Sequence, residues 1–383
     1  MNIACLGYGV VGKGVVEMFT NDSRVNIKHI LVRNLEECPL AVATLDIQGI
    51  LNDDSVDCVV EMMGGIDFPY YCIKESLLRG KHVVTSNKAV MAAHYQELLT
   101  LAKEHHVQLR LEASVGGGIP WIHSLLQQIR IGNVYRIEGI FNGTTNYIFD
   151  QMHTRHEEYS EILKEAQSLG YAESDPSSDV DGYDIQRKLM ISSSIAYKTV
   201  VDMTKFTLAS MRNIQLSDIL YFEKYGFRCR YFATSFVEDG KYFGSVEPTL
   251  FEQTTQPACV SVNHNLTILY HDTLGVLQLV GQGAGRYPTA NAVVQDILDV
   301  YEEKWSNIQM EKELTYDNSL ANTRLCICTS EEGLDVFDTY LVRKEQVGHR
   351  YYGWTVDLDN ETKCQLVNEA SKKDNSFFYA VVR

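Results

Sequence analysis

Short apolar runs separated by helical spacings dominate the first third of the chain. Ile3 to Leu6 is such a run, Gly7-Tyr8-Gly9-Val10-Val11-Gly12 follows, and Val15 to Phe19 continue at helical spacing. This is the order of strand, tight turn and helix. Further strands are predicted at Ile27 to Val32, Cys58 to Glu61 and His82 to Thr85, with crossover helices between them such as Pro69 to Leu78. Strands alternating with helices build a parallel, doubly wound α/β sheet, whose ligand lies beyond the carboxyl ends of the strands. From about Val134 the pattern changes. Tyr135 to Phe141, Tyr231 to Val237 and Leu266 to Tyr270 alternate apolar and polar positions and are rich in β-branched and aromatic residues. They predict a mostly antiparallel sheet carrying helices. Gly281 to Ala290 is a glycine-rich approach to an apolar helix, Ala292 to Val300, that returns to the first domain, so two crossings frame a cleft. The tail reads as strand Thr323 to Thr329, helix Leu334 to Leu341, strand Tyr351 to Leu358, helix Glu361 to Ala370 and strand Phe377 to Val382.

The expected architecture is therefore α/β, a Rossmann-type doubly wound sheet joined to an α+β substrate domain and a small C-terminal α/β tail domain. The boundaries are residues 1–133, completed by about 286–311, then 134–285 and 312–383. A length of 383 residues accommodates two to three domains. The formal net charge of −16 disfavours nucleic acid and anionic membrane surfaces, both of which demand a basic face. Nine scattered cysteines without a C-x-x-C pair point to reduced thiols. Cys326 and Cys328 face one way on a strand, which alone is a poor zinc site. The amino terminus lacks a basic segment and cleavage site, and no apolar run is long enough to span a bilayer, so a soluble, cytoplasmic protein is expected.

The glycines carry the first chemistry. Gly7 permits the tight turn, Gly9 lets the backbone approach a pyrophosphate, and Gly12 allows close packing of a helix whose amino end, at Val10 and Val11, faces the phosphates. The second strand ends Leu31-Val32-Arg33. Arg33 is a cation where an acidic residue would bind the ribose of NAD, so NADP is favoured over NAD; a solvated charge is the plain alternative. Lys88 lies just past a strand, where ligand-binding residues of open sheets sit and a lysine can reach a carboxylate or carbonyl oxygen; a simply solvated lysine is the alternative. Glu112 to Pro120 is glycine-dense and can turn backbone groups toward a ligand or ion, or serve only as a loop. Thr144 or Thr145 can cap the helix after Asn142 and offer a hydroxyl to the cleft. Asp184 and Lys188, four apart, share a helix face. Burial and a second cation, Lys88, would lower the pKa of Lys188 and suit it to proton transfer, while Asp184 and Glu173 bind an ammonium group. A surface ion pair is the alternative for Asp184 and Lys188.

Together, Gly7-x-Gly-x-x-Gly12, Glu61-Met-Met-Gly-Gly65, Gly80 to Lys88, Glu112 to Pro120, Asn142 to Tyr147, Leu169-Gly-Tyr-Ala-Glu173-x-Asp-Pro176, Asp184-x-x-x-Lys188 and Gly283 to Ala290 resemble the homoserine dehydrogenase family. The resemblance runs in order over about the first 300 residues. It implies reversible NAD(P)-dependent reduction of aspartate 4-semialdehyde to homoserine. It also implies Lys188 as the proton-transfer residue, Lys88 between nicotinamide and substrate, and Glu173 and Asp184 on the substrate amino group. By motif position, Thr144, Tyr171 and Asp179 fall on the substrate side, and Gly170 and Gly285 on the cofactor side. A monovalent-cation site, for an ion such as sodium, maps onto Glu112, Val115, Gly117 and Ile119, and a homodimer pairing through the second domain's sheet is implied. The chain departs from the family pattern at Ala209-Ser210-Met211, within Met203 to Gly226, and its tail resembles a shortened ACT domain without a recognisable amino-acid pocket. Two rival readings exist: another two-domain NADP-dependent reductase, which would need a cysteine nucleophile if it acylates its substrate, and a non-catalytic NADP-binding regulator.

Overall fold

The computed structural model describes residues 1–305, 308 and 310–383. Its amino-terminal half holds a six-stranded sheet: β1 (Asn2–Leu6), β2 (Asn26–Leu31), β3 (Ala43–Thr44), β4 (Cys58–Glu61), β5 (His82–Thr85) and β6 (Leu109–Arg110). The strands are parallel, in the order β3-β2-β1-β4-β5-β6. The order reverses between β1 and β4, which opens a crevice there for a ligand. Ile3, Cys5, Val60 and Val84 are buried beneath the covering helices, as strands with both faces covered require. The helix Arg286–Tyr301 returns to this sheet, and Gly14 packs so closely on it that a Cβ would lie 2.8 Å from Ala290 Cβ. Of the returning segment 286–311, residues 306, 307 and 309 lie outside the described residues.

The second sheet begins with β7 (Val134–Ile140), β8 (Thr207–Leu208), β9 (Phe227–Glu238), β10 (Lys241–Glu252), β11 (His264–His271) and β12 (Gly275–Gln282). The tail adds β13 (Thr315–Tyr316), β14 (Asn322–Thr329), β15 (Leu341–Val347), β16 (Arg350–Thr355), β17 (Leu358–Asp359) and β18 (Phe378–Val382). Most neighbours are antiparallel, and the main path runs β12-β11-β7-β9-β10-β18-β14-β16-β15. β18 lies parallel to β10 through Thr249–Val381 and Leu250–Val382, so the tail extends the middle segment's sheet.

Two tail elements differ from expectation. The predicted helix Leu334 to Leu341 is a short helix, Glu331–Asp335, and a 3-10 turn, Asp338–Tyr340, after which Leu341 opens β15. Packing of β15 along β16 prevails over the helical apolar spacing. The predicted strand Tyr351 to Leu358 breaks after Thr355 and resumes as β17. The tail thus runs β-α-β-β-α-β. All nine cysteines are free, and Cys326 and Cys328 are buried on one face of β14.

Candidate active site

Lys88 is the first residue of the helix Lys88–Glu104, which starts where β5 ends. Its ammonium lies 2.7 Å from Asp184 Oδ1. Asp184 is the second residue of the helix Tyr183–Tyr197, entered through Gly182. Glycine is required there: φ is +84°, and a Cβ would lie 2.4 Å from the Tyr231 hydroxyl. One helical turn on, Lys188 Nζ donates to Asp184 Oδ2 at 2.7 Å and to the Phe141 carbonyl at 2.7 Å. Asn142, just past β7, donates from Nδ2 to Asp184 Oδ2 at 2.8 Å and to Asp179 Oδ1 at 2.7 Å. The ends of strands from both sheets therefore converge on one carboxylate.

Asp184 and Lys188 are buried, whereas the Lys88 side chain keeps 38% of its surface exposed. Burial alone would raise the Asp184 carboxyl; the Lys188 and Lys88 charges outweigh it and hold that carboxyl well below the usual range. Burial pulls Lys188 below the ordinary lysine value against the opposing pull of Asp184, and Lys88 adds to the lowering. Lys88 goes the other way, raised by the Asp184 charge. Asp179 is pushed up to about 6, by burial first and by Asp184 second.

A cavity of about 610 Å³ opens over this cluster. Thr144, Gly170, Tyr171, Glu173 and Asp179 line it with the two lysines, and so does Gly285. Thr144 Oγ1 donates to the Tyr171 carbonyl at 2.5 Å, and the Tyr171 ring meets Tyr147 edge-on at 5.1 Å. Glu173 is exposed at the rim. The expected threonine cap belongs instead to Asn142, whose Oδ1 accepts from Thr145 N at 2.8 Å. Asn142 and the Phe141 carbonyl are the site groups that sequence reasoning missed. Asparagine's preference for helix amino ends was the signal available for the first; the second, a main-chain group, left none.

A larger cavity, about 1010 Å³, lies at the crevice between β1, β2 and β4 and is lined by Gly7, Gly9, Lys13, Arg33, Met62 and Met63, among others. Gly7 has φ +101°, and a Cβ on Gly12 would sit 2.3 Å from the Gly7 carbonyl oxygen. Val10, exposed, and Val11 begin the helix Val10–Met18 behind them. The space beside Gly9 is open. These are the features a pyrophosphate needs. Arg33 is exposed and pairs with Glu37 at 3.4 Å.

Glu112 opens a buried turn, and its carboxylate accepts from Ile122 N at 3.0 Å and His123 N at 2.6 Å at the start of the helix Trp121–Gln128. Burial, with Asp296 nearby, pushes it up to about 8. Val115 and Ile119 are buried in the following loop. Gly117 has φ +57° and abuts the Gly283 main chain so closely that a Cβ would lie 2.4 Å from its carbonyl carbon. Among the described residues, no group of three or more His, Cys, Asp or Glu side chains is arranged to hold a metal.

Residues 7–112 match the homoserine dehydrogenase NAD-binding domain, and residues 120–298 match the homoserine dehydrogenase domain itself. The chain is 34% identical over 314 residues to the homoserine dehydrogenase of Bacillus subtilis (strain 168), an alignment spanning 78% of this chain and 72% of that one. The chain belongs to the homoserine dehydrogenase family. It is accordingly an NAD(P)-dependent oxidoreductase acting on a CH–OH group, which displaces both rival readings. The fold agrees with a homoserine dehydrogenase from Thiobacillus denitrificans, at a TM-score of 0.90 and 24% identity over 100% of this chain and 98% of that one. A hyperthermophilic archaeal homoserine dehydrogenase in complex with NADPH superposes at a TM-score of 0.70 and 26% identity, covering 80% of this chain and 99% of that one.

Proposed function

We propose that the enzyme reduces aspartate 4-semialdehyde reversibly to homoserine at the Lys88–Asp184–Lys188 cluster, with NADPH as its preferred cofactor. The observation that carries this reading is the meeting of two lysines on one buried carboxylate beside a cavity that fits a small amino acid. A bound nicotinamide supplies the hydride in one direction and accepts it in the other. Lys188, its affinity for a proton reduced by burial, donates a proton to the developing alkoxide oxygen and takes it back from the alcohol. Lys88 stays charged and stabilises negative charge on the same oxygen. Both Asp184 oxygens face ammonium groups of the protein, so Asp184 orients the lysines, and Glu173 and Asp179 bind most of the substrate's ammonium charge. Thr144 and Tyr171 shape the wall between them.

Gly7, Gly9, Val10, Val11 and Gly12 hold the pyrophosphate, Arg33 binds the 2′-phosphate, and Gly170 and Gly285 flank the nicotinamide end. The NADPH complex of the archaeal relative supports the cofactor preference. The main-chain carbonyls of Glu112, Val115, Gly117 and Ile119 would hold a monovalent cation such as sodium, whose hard charge suits oxygen donors; the tight Gly117–Gly283 contact keeps that loop beside the substrate lobe. Residues 1–133 with 286–311 serve the dinucleotide, 134–285 the substrate and the homodimer contact, and 312–383 form an appended lobe. The apolar residues Val276 and Val280, exposed on edge strand β12, support pairing through this sheet. Cytoplasmic residence accords with nine cysteines scattered along the chain, a spacing that suits reduced thiols.

A spectrophotometric assay with homoserine and each oxidised cofactor tests the proposal. Homoserine-dependent reduction of NADP in preference to NAD is expected, and no reduction of either cofactor refutes the activity.

A further inference from the structure

Asn87 directly precedes Lys88, which lines the smaller cavity, and bonds Met63, which lines the larger. Its Oδ1 accepts from Ala89 N and Val90 N, each at 3.1 Å, capping the helix that carries Lys88. Its Nδ2 donates the other way, to the Gly65 carbonyl at 2.9 Å and the Met63 carbonyl at 3.3 Å. Met62, Met63 and Gly64 line the larger cavity, and a Cβ on Gly7 would meet the Met62 carbonyl at 3.0 Å. One side chain thus grips both the loop under the dinucleotide cavity and the start of the lysine helix.

The hydrogen bonds close into a ring. Asn87 N donates to Thr85 Oγ1 at 3.0 Å, Thr85 Oγ1 donates to Glu61 Oε2 at 2.6 Å, and Glu61 Oε1 accepts from Met63 N at 2.7 Å. Met63 returns to Asn87 through its carbonyl. Glu61, Thr85 and Asn87 are buried, which keeps the Asn87–Thr85–Glu61 links away from water. The Met63 and Gly65 carbonyls that Asn87 Nδ2 reaches lie at the half-buried to exposed edge of the ring, so losing those two bonds frees the loop without stranding a carbonyl away from solvent. A cap needs only the acceptor; the two donated bonds exceed what capping demands.

We propose that Asn87 is a positioning residue that fixes the 62–65 loop and the Lys88 ammonium relative to one another, so that the loop under the cofactor and the group that meets the substrate move as one body. The part of this inference that concerns turnover rests on the function proposed above; the part that concerns cofactor binding does not.

Asn87→Ser separates the two roles, because serine caps a helix well but is too short to reach the Met63 and Gly65 carbonyls. Asn87→Asp, of equal size and without an N–H when ionised, is the second variant if the first does not fold. Melting is followed by circular dichroism, NADPH binding by fluorescence titration, and homoserine oxidation by steady-state kinetics across pH. Loss of two donated bonds is expected to weaken NADPH binding about tenfold and to lower kcat about tenfold at a melting temperature close to that of the parent. The pH profile of kcat should shift as well, because Lys88 sets part of the field at Lys188. A folded serine variant with parental NADPH affinity, kcat and pH profile overturns the proposal and leaves Asn87 a cap. A parent that binds NADPH but does not oxidise homoserine refutes the proposed reaction instead, and the binding titration still decides the role of Asn87.

Discussion

Lys88 and Lys188, a hundred residues apart, lie on opposite oxygens of Asp184, each at 2.7 Å. The carboxylate does more than pair charges. It holds two mutually repelling cations at the wall of one cavity and leaves them unequal, since Lys188 is buried with its pKa lowered and Lys88 is partly exposed with its pKa raised. One ammonium can release its proton while the other keeps its charge.

The Lys188→Ala variant should therefore lose hydride transfer while binding NADPH nearly as the parent does. A loss of at least about a hundredfold in kcat is expected for a general acid. Turnover equal to the parent's would remove this lysine from the reaction.

Arg33→Ala should weaken NADPH more than NADH, by about tenfold for a charge-assisted phosphate contact at an exposed site. The comparison is the ratio of kcat/KM for the two cofactors. An unchanged ratio would show that the Arg33–Glu37 pair is only a solvated ion pair.

Asp179, raised to about 6, binds an ammonium group only when ionised. The KM for homoserine should rise as pH falls below about 6, and Asp179→Asn should abolish that rise. A KM flat between pH 5 and 8 in the parent would contradict the assignment.

Glu61 supplies a stability test. Burial pushes its carboxyl up to about 7, above its value in an unfolded chain, so the folded protein takes up the proton more readily than the unfolded one. Its contribution to stability is fully present below the unfolded pKa and is lost as pH rises through about 7. Glu61→Gln should flatten the decline in melting temperature between pH 5 and 8. Superimposable pH profiles for parent and variant would argue against a protonated Glu61.

Arg350 and Asp218 test the attachment of the tail. The guanidinium donates to both carboxylate oxygens, at 2.6 and 2.9 Å, where both side chains are buried. Removing one partner of such a pair typically costs about 3 kcal/mol, so Arg350→Ala should melt several degrees lower. Its KM values should not move, because neither residue lines the cavity over the lysine cluster or the one at the glycine turn. Parental melting would show that the tail is held by its sheet contacts alone.

The local elements of the dinucleotide lobe were legible because their signals are local. β4 and β5 fall on Cys58–Glu61 and His82–Thr85, as their apolar runs predict, and Gly7 and Gly12 take the conformation and close contact that their spacing implies. The tail was less so. Leu334 to Leu341 carries helical spacing, but Leu341 joins a strand whose partner, β16, lies beyond the turn at Gly348. Asp184 and Lys188 were legible as one helix face, yet not the fact that Asp184 also takes Lys88 and Asn142.

By itself, then, the sequence determined the nucleotide-binding turn, most strands and the residue types needed for hydride chemistry, because short-range periodicity and backbone sterics act between near neighbours. The tertiary structure alone decided that two lysines share one carboxylate, that Asn142 rather than a threonine caps its helix, and that the tail's strands extend the second sheet. Those outcomes depend on burial and on charges brought together from distant parts of the chain, where the energy of a contact is set by distance in space and by exclusion of water.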